Sequence, residues 1–211
     1  MTIGTVGAIW RYPVKSLAAQ PLERADVSTS GLAGDRERAL WVRTGHARAG
    51  KTYRGKENDR LHLARDGAAA LGVAAAAGVD AELRDGERFF DAAPVSVLVD
   101  RWLRELGEYV GYAVEPLRFR PNLFVRAEPS FEQGEAQLVG AELMVGSVRL
   151  RVREPIERCV VTTYDPKGGD ADPRILRFVA QSRNTWMGVY CDVLEPGTLA
   201  LGDTLSRLPG A

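Results

Sequence analysis

Alternation of apolar and polar residues dominates this chain and predicts a protein built mainly from short strands. Between Val148 and Arg153, apolar side chains at every second position alternate with arginines, which is the period of a strand with one buried face. Similar runs, bounded by proline, glycine or aspartate, recur along the sequence. They predict further strands at residues 5–12, 21–28, 38–43, 61–65, 109–114, 122–126, 187–194, 199–201 and 204–208.

Two helices and one hairpin complete the predicted elements. An apolar stripe with proline in its first turn and glycine past its end predicts a helix over residues 94–106. Asp172 as cap and Pro173 at the first position predict a second, short helix. Residues 81–90 are interpreted as a hairpin, and 68–79 as a loop or a short helix. About ten strands with two helices indicate a β-barrel with helical cover rather than alternating βαβ units.

The overall composition excludes several classes of protein. Lys plus Arg and Asp plus Glu both total 28 in 211 residues, so no net charge favours a nucleic acid polymer or an acidic membrane. The N-terminus has no basic leader followed by an apolar stretch, and no apolar run approaches the roughly 20 residues that span a bilayer. Two cysteines do not resemble a secreted disulfide scaffold, which favours a reducing, cytoplasmic setting.

Cys159 is the residue with the strongest chemical signal. Pro155 is expected to end the preceding strand, which leaves the thiol in an irregular segment where it can face a cleft. The adjacent Arg158 favours the thiolate, the form that attacks electrophiles and binds metals. The alternative is a small buried hydrophobe, the usual role of a free cysteine. Cys191, in an apolar run without a neighbouring cation, is predicted to be a core residue.

Several common chemistries lack the residues they need. A serine or cysteine hydrolase needs a base, and only His46 and His62 exist, both in the N-terminal third. Neither a glycine-rich phosphate loop nor zinc-type spacing of Cys and His occurs. Residues 44–60 are polar and basic, and form either a solvated loop or a lid. What remains is Cys159 with cations on predicted loops, which would form a pocket for a phosphorylated ligand if the loops meet: Lys15, Arg36, Arg120 and Arg158.

Five short motifs follow one another in an order that is typical of one family. They are Tyr12-Pro-Val-Lys-Ser, Gly34-Asp-Arg, Phe119-Arg-Pro-Asn, Arg158-Cys-Val-Val-Thr-Thr-Tyr-Asp-Pro and Pro196-Gly-Thr-Leu-Ala-Leu-Gly-Asp. Together they resemble the MOSC family, the molybdenum cofactor sulfurase C-terminal domain. Within it the chain is similar to the branch of the mitochondrial amidoxime-reducing component and its bacterial relatives. The resemblance extends over residues 9–208.

The resemblance implies a fold and a site. The implied fold is mainly β (α+β): an N-terminal β-barrel portion at residues 1–90, a MOSC β-barrel at 91–211 and a few covering helices. The molybdenum cofactor (molybdopterin) would lie between them, with Cys159 as the catalytic residue and metal ligand, since a soft thiolate suits the metal. Cations and fixed donors would hold the anionic phosphate of the pterin. The implied cofactor-binding residues are Lys15, Ser16, Arg36, Arg120, Asn122, Arg158 and Thr162.

The resemblance also implies an activity, with two alternatives left open. The implied enzyme is an oxidoreductase that reduces N-hydroxylated small molecules such as amidoximes and hydroxylamines, with electrons from a separate flavin or iron–sulfur protein. Relatives often carry hydroxyl or thiol side chains before Pro94, where this chain has Asp91-Ala92-Ala93. One alternative is a sulfur carrier with a persulfide on Cys159. The other is a barrel that binds a phosphorylated small molecule without catalysis.

Overall fold

The computed structural model describes residues 1–45, 48–86 and 88–209. This described part contains thirteen strands and four α-helices. In chain order the strands are β1 (Thr2–Arg11), β2 (Gln20–Leu22), β3 (Arg24–Ser28), β4 (Gly31–Leu32), β5 (Arg38–Thr44), β6 (Asp80–Asp85), β7 (Val95–Val99), β8 (Leu123–Ala127), β9 (Glu142–Val145), β10 (Val148–Glu157), β11 (Trp186–Glu195), β12 (Gly197–Ala200) and β13 (Thr204–Arg207). The α-helices are α1 (Gly67–Ala76), α2 (Asp100–Val110), α3 (Glu135–Leu138) and α4 (Pro173–Ser182), and short 3-10 helices occupy Gly55–Glu57, Leu61–Leu63, Pro116–Phe119 and Val160–Thr163.

A closed seven-stranded barrel forms the larger part of the fold. Its strands follow the order β13, β9, β10, β11, β7, β8, β1, and pairing of β13 with β1 closes the sheet, while β2 extends it beside β1. The alternation along β10 places Val148, Leu150 and Val152 in the core and the intervening arginines outside. Helices α2 and α4 pack together against the barrel. The predicted mainly β fold, a barrel with few helices, is confirmed.

A smaller group of elements lies next to the barrel. Strands β5 and β6 pair antiparallel, helix α1 packs on them, and the two 3-10 helices at Gly55–Glu57 and Leu61–Leu63 belong to the same segment. This group has its own core, which includes Leu40, Tyr53 and Leu61. Strand β1 lies in the barrel sheet although it begins the chain. The predicted division into domains at residue 90 stays a prediction.

The predicted helix over residues 94–106 is wrong in its first half. Residues Val95–Val99 form strand β7, which pairs parallel with β8, and the helix α2 covers Asp100–Val110. All five residues of β7 are buried, because one face lies in the barrel and the other is covered. A strand buried on both faces is almost continuously apolar, here except for Ser96, so its sequence also fits the apolar stripe of a helix. The predicted strand at 109–114 is also wrong, because α2 continues to Val110 and the residues after it form no strand.

Three other local predictions also fail. Strand β10 runs through Pro155 to Glu157, because irregular register on both sides of the proline accommodates it. Residues Leu61–Leu63 form a 3-10 helix instead of a strand. The hairpin at 81–90 does not form, since Asp80–Asp85 pairs with β5 and residues 88–90 are not a strand; Glu87 lies outside the described residues. The segment 68–79 is largely the helix α1, and α4 starts at Pro173 behind the Asp172 cap as predicted.

In the part of the chain that the structure describes, no helix has the length and apolar character to cross a membrane.

Candidate functional site

A cavity of about 280 Å³ lies where turns of the N-terminal segment meet the mouth of the barrel. We call it the Cys159 cavity. Seven Lys or Arg side chains line it, against two carboxylates, Asp91 and Glu157. The excess of cations gives the cavity a positive potential, which favours an anionic ligand. Of the residues predicted from the sequence, it brings together Lys15, Ser16, Arg36, Arg120, Arg158, Cys159 and Thr162.

Cys159 lies at the rim of the cavity with its side chain exposed. Its backbone is extended and leads from β10 into the 3-10 helix Val160–Thr163. Both the amide and the hydroxyl of Thr162 donate to the Cys159 carbonyl, at 3.1 and 3.0 Å, which fixes the turn beneath the thiol. The interpretation of Cys159 as a buried hydrophobe is therefore wrong. Cys191 is buried in the core as predicted, and burial raises the pKa of its thiol far above the ordinary value.

Arg158 holds the cavity wall together through main-chain carbonyl groups. Its Nε donates to the Met187 carbonyl at 2.7 Å, and its Nη1 donates to the Phe119 carbonyl at 2.9 Å. No carboxylate of the described residues forms an ion pair with it. Burial lowers the pKa of Arg158 to about 10, so the guanidinium stays charged at neutral pH. A positive charge thus lies next to Cys159 without an acidic partner.

Arg120 is a second cation without an acidic partner among the described residues; the residue is half-buried, and its Nη2 is fully buried. It follows the 3-10 helix Pro116–Phe119 in the left-handed conformation, with φ at 50°. Its guanidinium carbon lies 4.2 Å from the centroid of the Tyr12 ring, and its Nη2 is buried without a hydrogen-bond partner. Burial, with a smaller effect of the nearby Arg36 cation, lowers the pKa of Arg120 to about 10. Because an unpaired buried charge is unfavourable, this arrangement favours an anion as ligand.

Arg36 lies on the same tyrosine but has a carboxylate partner. Its guanidinium carbon is 4.6 Å from the Tyr12 centroid, and its Nη1 is 2.5 Å from the buried Asp35 carboxylate. The Asp35 carboxylate also accepts a hydrogen bond from the Tyr12 amide at 2.7 Å, so it holds Arg36 next to the backbone of Tyr12. Burial acts to lower the pKa of Arg36, but Asp35 more than offsets it and the pKa is raised. Arg36 is therefore held in a fixed direction.

Lys15 and Ser16 form the turn that follows β1. Lys15 Nζ lies 2.5 Å from a carboxylate oxygen of Asp91, whose side chain is 70% exposed. Although most of the side chain is exposed, the protein around the carboxylate acts to raise the pKa of Asp91; Lys15, with Arg36 and Arg120, more than offsets this, so the pKa lies below its ordinary value. The Ser16 hydroxyl accepts a hydrogen bond from the Gly55 amide at 3.1 Å. This bond attaches the turn to the polar segment 44–60.

Three of the five non-glycine residues with positive φ in the described ranges belong to this site. They are Ser16 at 72°, Arg36 at 50° and Arg120 at 50°. A left-handed conformation costs a non-glycine residue of order 1 kcal/mol and occurs preferentially at functional sites. The presence of Ser and Arg at positions where glycine would be less strained indicates that these side chains are needed at the site.

Comparison with known proteins gives the family. The profile of the MOSC domain matches residues 89–206, and the profile of the MOSC N-terminal beta barrel domain matches residues 3–98. The chain belongs to the MOSC domain family. The predicted resemblance, including the distant relation to amidoxime-reducing components, is confirmed.

Curated relatives of this MOSC chain are distant. It is 27% identical over 131 residues to mitochondrial amidoxime reducing component 2 of Macaca fascicularis, covering 56% of this chain and 38% of the relative. It is 26% identical over 145 residues to mitochondrial amidoxime-reducing component 1 of Homo sapiens, covering 59% and 40%. Human molybdenum cofactor sulfurase is 28% identical over 93 residues, or 41% of this chain and 10% of the relative. The chain thus spans at most about two fifths of the length of these relatives.

Two solved structures share the fold. The YUAD protein from Bacillus subtilis superposes with a TM-score of 0.57 at 17% identity, covering 97% of this chain and 94% of that one. YiiM from Escherichia coli gives a TM-score of 0.51 at 13% identity, covering 100% and 71%. At these identities the likeness is one of fold.

Asn122 does not line the cavity of this MOSC protein, although it was predicted among the cofactor-binding residues. It is buried between β7, β8 and β1, where its Oδ1 accepts hydrogen bonds from the amide and hydroxyl of Ser96 at 3.1 and 3.0 Å. The same oxygen lies 3.4 Å from Nη1 of Arg36. Asn122 therefore acts on the site through Ser96 and Arg36, and a direct contact with a cofactor stays a prediction.

Sequence reasoning missed several residues of this MOSC site. The Tyr12 ring contacts the guanidinium groups of Arg36 and Arg120. Arg118 is a buried residue of the cavity whose Nη1 donates to the Thr163 carbonyl at 2.7 Å. Tyr12 lies inside a quoted motif and Arg118 directly precedes another, so proximity to Lys15 and Arg120 was the available signal. Arg54 and Lys56 also line the cavity, which places part of the segment 44–60 at the site. His46 of that segment lies outside the described residues.

The MOSC site offers one thiol as a soft metal ligand but no set of ligands for a free ion in the described residues. Among residues 1–45, 48–86 and 88–209, no cluster of three or more His, Cys, Asp or Glu side chains could hold a metal ion. A single thiolate cannot select a free ion, because protein sites for transition metals use several ligands. The site suits a metal that arrives with its own ligands and carries an anionic group for the cations.

Proposed function

We propose that this MOSC protein binds the molybdenum cofactor and acts as a reductase of N-hydroxylated compounds, with Cys159 as the protein ligand of molybdenum. One observation carries the proposal. An exposed thiol shares a cavity of about 280 Å³ with seven cationic side chains, of which Arg120 and Arg158 have no acidic partner in the described structure. A soft ligand at one position and buried positive charge at others match a cofactor with both a metal and a phosphate.

The residues fit the two ends of such a cofactor. At the metal end Cys159 would supply the sulfur ligand, with the Arg158 cation as its neighbour in the sequence. For the anionic end, Lys15, Arg36 and Arg120 supply charge from the turns. Because the left-handed backbone and the Asp35 pair fix Arg36 in advance, little reorganisation accompanies binding.

The proposed reaction converts an N–OH group to N–H and releases water, with uptake of two electrons and two protons. When bound, the cofactor would supply the two-electron oxygen-transfer chemistry that no side chain provides. The chain's own residues would orient the cofactor and set the electrostatic field around it. We propose a separate flavin or iron–sulfur protein as electron donor and a cytoplasmic location. The activity is proposed from the names of the amidoxime-reducing relatives, of which the chain spans about two fifths.

A second candidate, a sulfur carrier, is supported by a separate observation. The chain matches human molybdenum cofactor sulfurase over 93 residues, and Cys159 is exposed enough to carry a persulfide. This function needs the reactive thiol but no bound molybdenum.

Expression in a host that makes molybdenum cofactor separates the candidates. The reductase predicts molybdenum and pterin in equal amounts to the protein, and reduction of benzamidoxime when a flavin or iron–sulfur donor is added. Cys159→Ala is expected to lose both the metal and the activity, whereas Cys191→Ala, the matched control in the core, keeps them. Full activity in Cys159→Ala would overturn the reductase. An apoprotein with the mass of one added sulfur on Cys159 would favour the carrier.

A further inference from the structure

A second cavity of about 140 Å³ shares part of its wall with the Cys159 cavity, and we call it the His62 cavity. The shared residues are Arg118, Arg120 and Val161. The two cavities therefore lie side by side, with Arg118 and Arg120 between them. None of Lys15, Ser16, Arg36 or Cys159 lines the second one. Its wall is mostly aromatic and apolar and includes Tyr12, Leu117, Tyr164 and Pro166.

Three residues of this wall carry a buried polar atom without a hydrogen-bond partner. They are Arg118 at Nε, Arg120 at Nη2 and His62 at Nδ1, out of five such atoms in the described part of the chain. The Arg118 side chain is only 6% exposed, so water does not freely replace the missing partner. Buried polar atoms without partners are unfavourable and rare in proteins. Their concentration at one cavity indicates that a ligand provides the partners.

The charge of the wall selects the sign of that ligand. Arg118 has one acidic neighbour, Asp165, at 3.5 Å, which is the limit of a hydrogen bond. Arg120 forms no ion pair among the described residues. Two guanidinium groups with this little compensation favour an anion, and their planar donor groups match the two oxygens of a carboxylate.

The shape of the cavity selects the size of the ligand. A cavity of about 150 Å³ lined by apolar side chains accommodates benzene, so 140 Å³ suits one small ring. The rings of His62 and Tyr164 are stacked, with centroids 5.7 Å apart and planes at 24°. Flat ring surfaces favour a planar ligand.

We propose that the His62 cavity binds a small planar carboxylate of about the size of benzoate, with the carboxylate at Arg118 and Arg120 and the ring among the aromatic side chains. Arg120 is the one residue of this set that is also assigned to the cofactor above, but the proposal does not depend on molybdenum, because it concerns the protein without the cofactor. It adds a second ligand class to a site that otherwise has one.

His62 couples this binding to protons. Its Nε2 lies 2.8 Å from the Asp165 carbonyl and donates to it, so Nδ1 is an acceptor when the ring is neutral and a donor when it is protonated. Burial lowers the pKa of His62, and the Arg120 cation also lowers it. The backbone groups of Asp165 and Asp59 act to raise it, but the net pKa lies below the ordinary value. A bound carboxylate stabilises the protonated ring, so binding takes up a proton. The other charged or titratable groups around it are Arg118, Tyr12, Tyr164 and the carboxylates of Asp59 and Asp165.

Titration of the apoprotein with benzoate, followed by calorimetry and by histidine ring NMR, tests the proposal. We expect one benzoate per chain and no binding of neutral benzyl alcohol. His62→Ala and Tyr164→Leu should each weaken benzoate about tenfold, through loss of a hydrogen bond or of ring contact. Lys15→Ala is the matched control, since Lys15 lines only the Cys159 cavity, and should leave the affinity within about twofold.

The pH dependence gives an independent measurement. Because the pKa of His62 in the free protein lies below its ordinary value of about 6.5, wild-type affinity should rise as the pH falls from about 7 to about 5, where benzoate is still largely ionised. His62→Ala should abolish the rise. Loss of benzoate binding in Lys15→Ala with retention in His62→Ala would overturn the proposal, because the anion would then lie in the Cys159 cavity. The absence of binding at millimolar benzoate would overturn it as well. Neither result bears on molybdenum content, so failure here leaves the proposed reductase untouched.

Discussion

The guanidinium carbon of Arg120 lies 4.2 Å from the ring centroid of Tyr12, and no carboxylate of the described residues pairs with this arginine. A desolvated cation over an aromatic ring gains about 2 kcal/mol, less than the several kcal/mol that burial of an ion costs. Tyr12 is also fixed, because its hydroxyl donates to the Pro121 carbonyl at 3.1 Å. The protein therefore keeps Arg120 buried at a net cost, which an anionic ligand offsets.

Arg120→Met is expected to stabilise the apoprotein and to weaken anion binding. Methionine is similar in length but has no charge to desolvate, so the free energy of unfolding should rise by about 1 kcal/mol. Phosphate, used as a probe of the Cys159 cavity, should bind at least about tenfold more weakly because a charge-assisted contact is lost. Urea unfolding and calorimetry measure the two effects.

The matched control is Arg126→Met, which changes an exposed arginine of β8. It should change neither the stability nor the phosphate affinity by much, since an exposed charge is already solvated. A less stable Arg120→Met protein would show that Arg120 is a structural residue and would contradict the interpretation.

The backbone at Ser16 can be tested with a pair of substitutions. Both Ser16→Ala and Ser16→Gly remove the hydroxyl that accepts from the Gly55 amide, but only glycine tolerates φ at 72° without a steric penalty. Ser16→Gly should therefore be more stable than Ser16→Ala by about 1 kcal/mol in urea unfolding. Equal stability of the two variants would indicate that the turn is not strained.

Local sequence patterns predicted much of the fold because most strands have one buried face. The alternation in β10 and the cap at Asp172 were sufficient to predict these elements, because both signals depend on a few neighbouring residues and not on the rest of the fold. Strand β7 was taken for a helix because both of its faces are covered, by the barrel and by α2, and this is a property of the whole fold. Strand β6 pairs with β5, which lies far away in the sequence, and no local turn motif predicts such a pairing.

The site was predictable in its charges but not in its geometry. Lys15, Arg36, Arg120 and Arg158 were expected on loops, yet only the fold could bring them beside Cys159. The left-handed conformation of Arg36 and Arg120 has no sequence signal, because glycine or asparagine is the usual residue there. His62 has no base-like motif around it in the sequence, and its stacking on Tyr164 depends on segments that are far apart in the chain.

Asp91 is expected to compete with anions for Lys15. Because the Lys15 cation lowers the pKa of Asp91, the carboxylate stays ionised at all pH values above about 4, and the pair persists across the neutral range. Its small contribution to stability is present above the unfolded-state pKa and is lost as the pH falls through the lower, folded-state value. Asp91→Asn should bind phosphate about fivefold more tightly, since an exposed pair contributes at most ~1 kcal/mol.

Glu157→Gln serves as the control for Asp91, because Glu157 also lines the Cys159 cavity but forms no ion pair in the described structure. It should change the phosphate affinity less than Asp91→Asn does. An equal gain in both variants would mean that overall charge, and not release of Lys15, controls binding.

The two cysteines are expected to differ in alkylation. Iodoacetamide should modify Cys159 in the folded protein, since its side chain is exposed, whereas Cys191 is buried and should react only when the chain opens. Peptide mass spectrometry after brief labelling, with and without urea, distinguishes the sites. Labelling of Cys191 as fast as Cys159 in the absence of urea would contradict the buried position.

Cys191 should also make the folded state less stable at alkaline pH. Burial raises the pKa of its thiol well above the unfolded-state value of about 8.5. Below that pH both states keep the proton and the thiol adds no pH dependence. Above it the unfolded state ionises while the folded state cannot, so the free energy of unfolding falls by up to about 1.4 kcal/mol per pH unit.

Urea unfolding between about pH 8 and about pH 10 should show this slope in the wild type. Cys191→Ala should reduce the slope, even though its stability is lower at every pH because of the cavity it leaves. Comparison of the two slopes cancels the titration of other groups such as Tyr12, and identical slopes would show that Cys191 ionises as easily in the folded protein as in the unfolded chain.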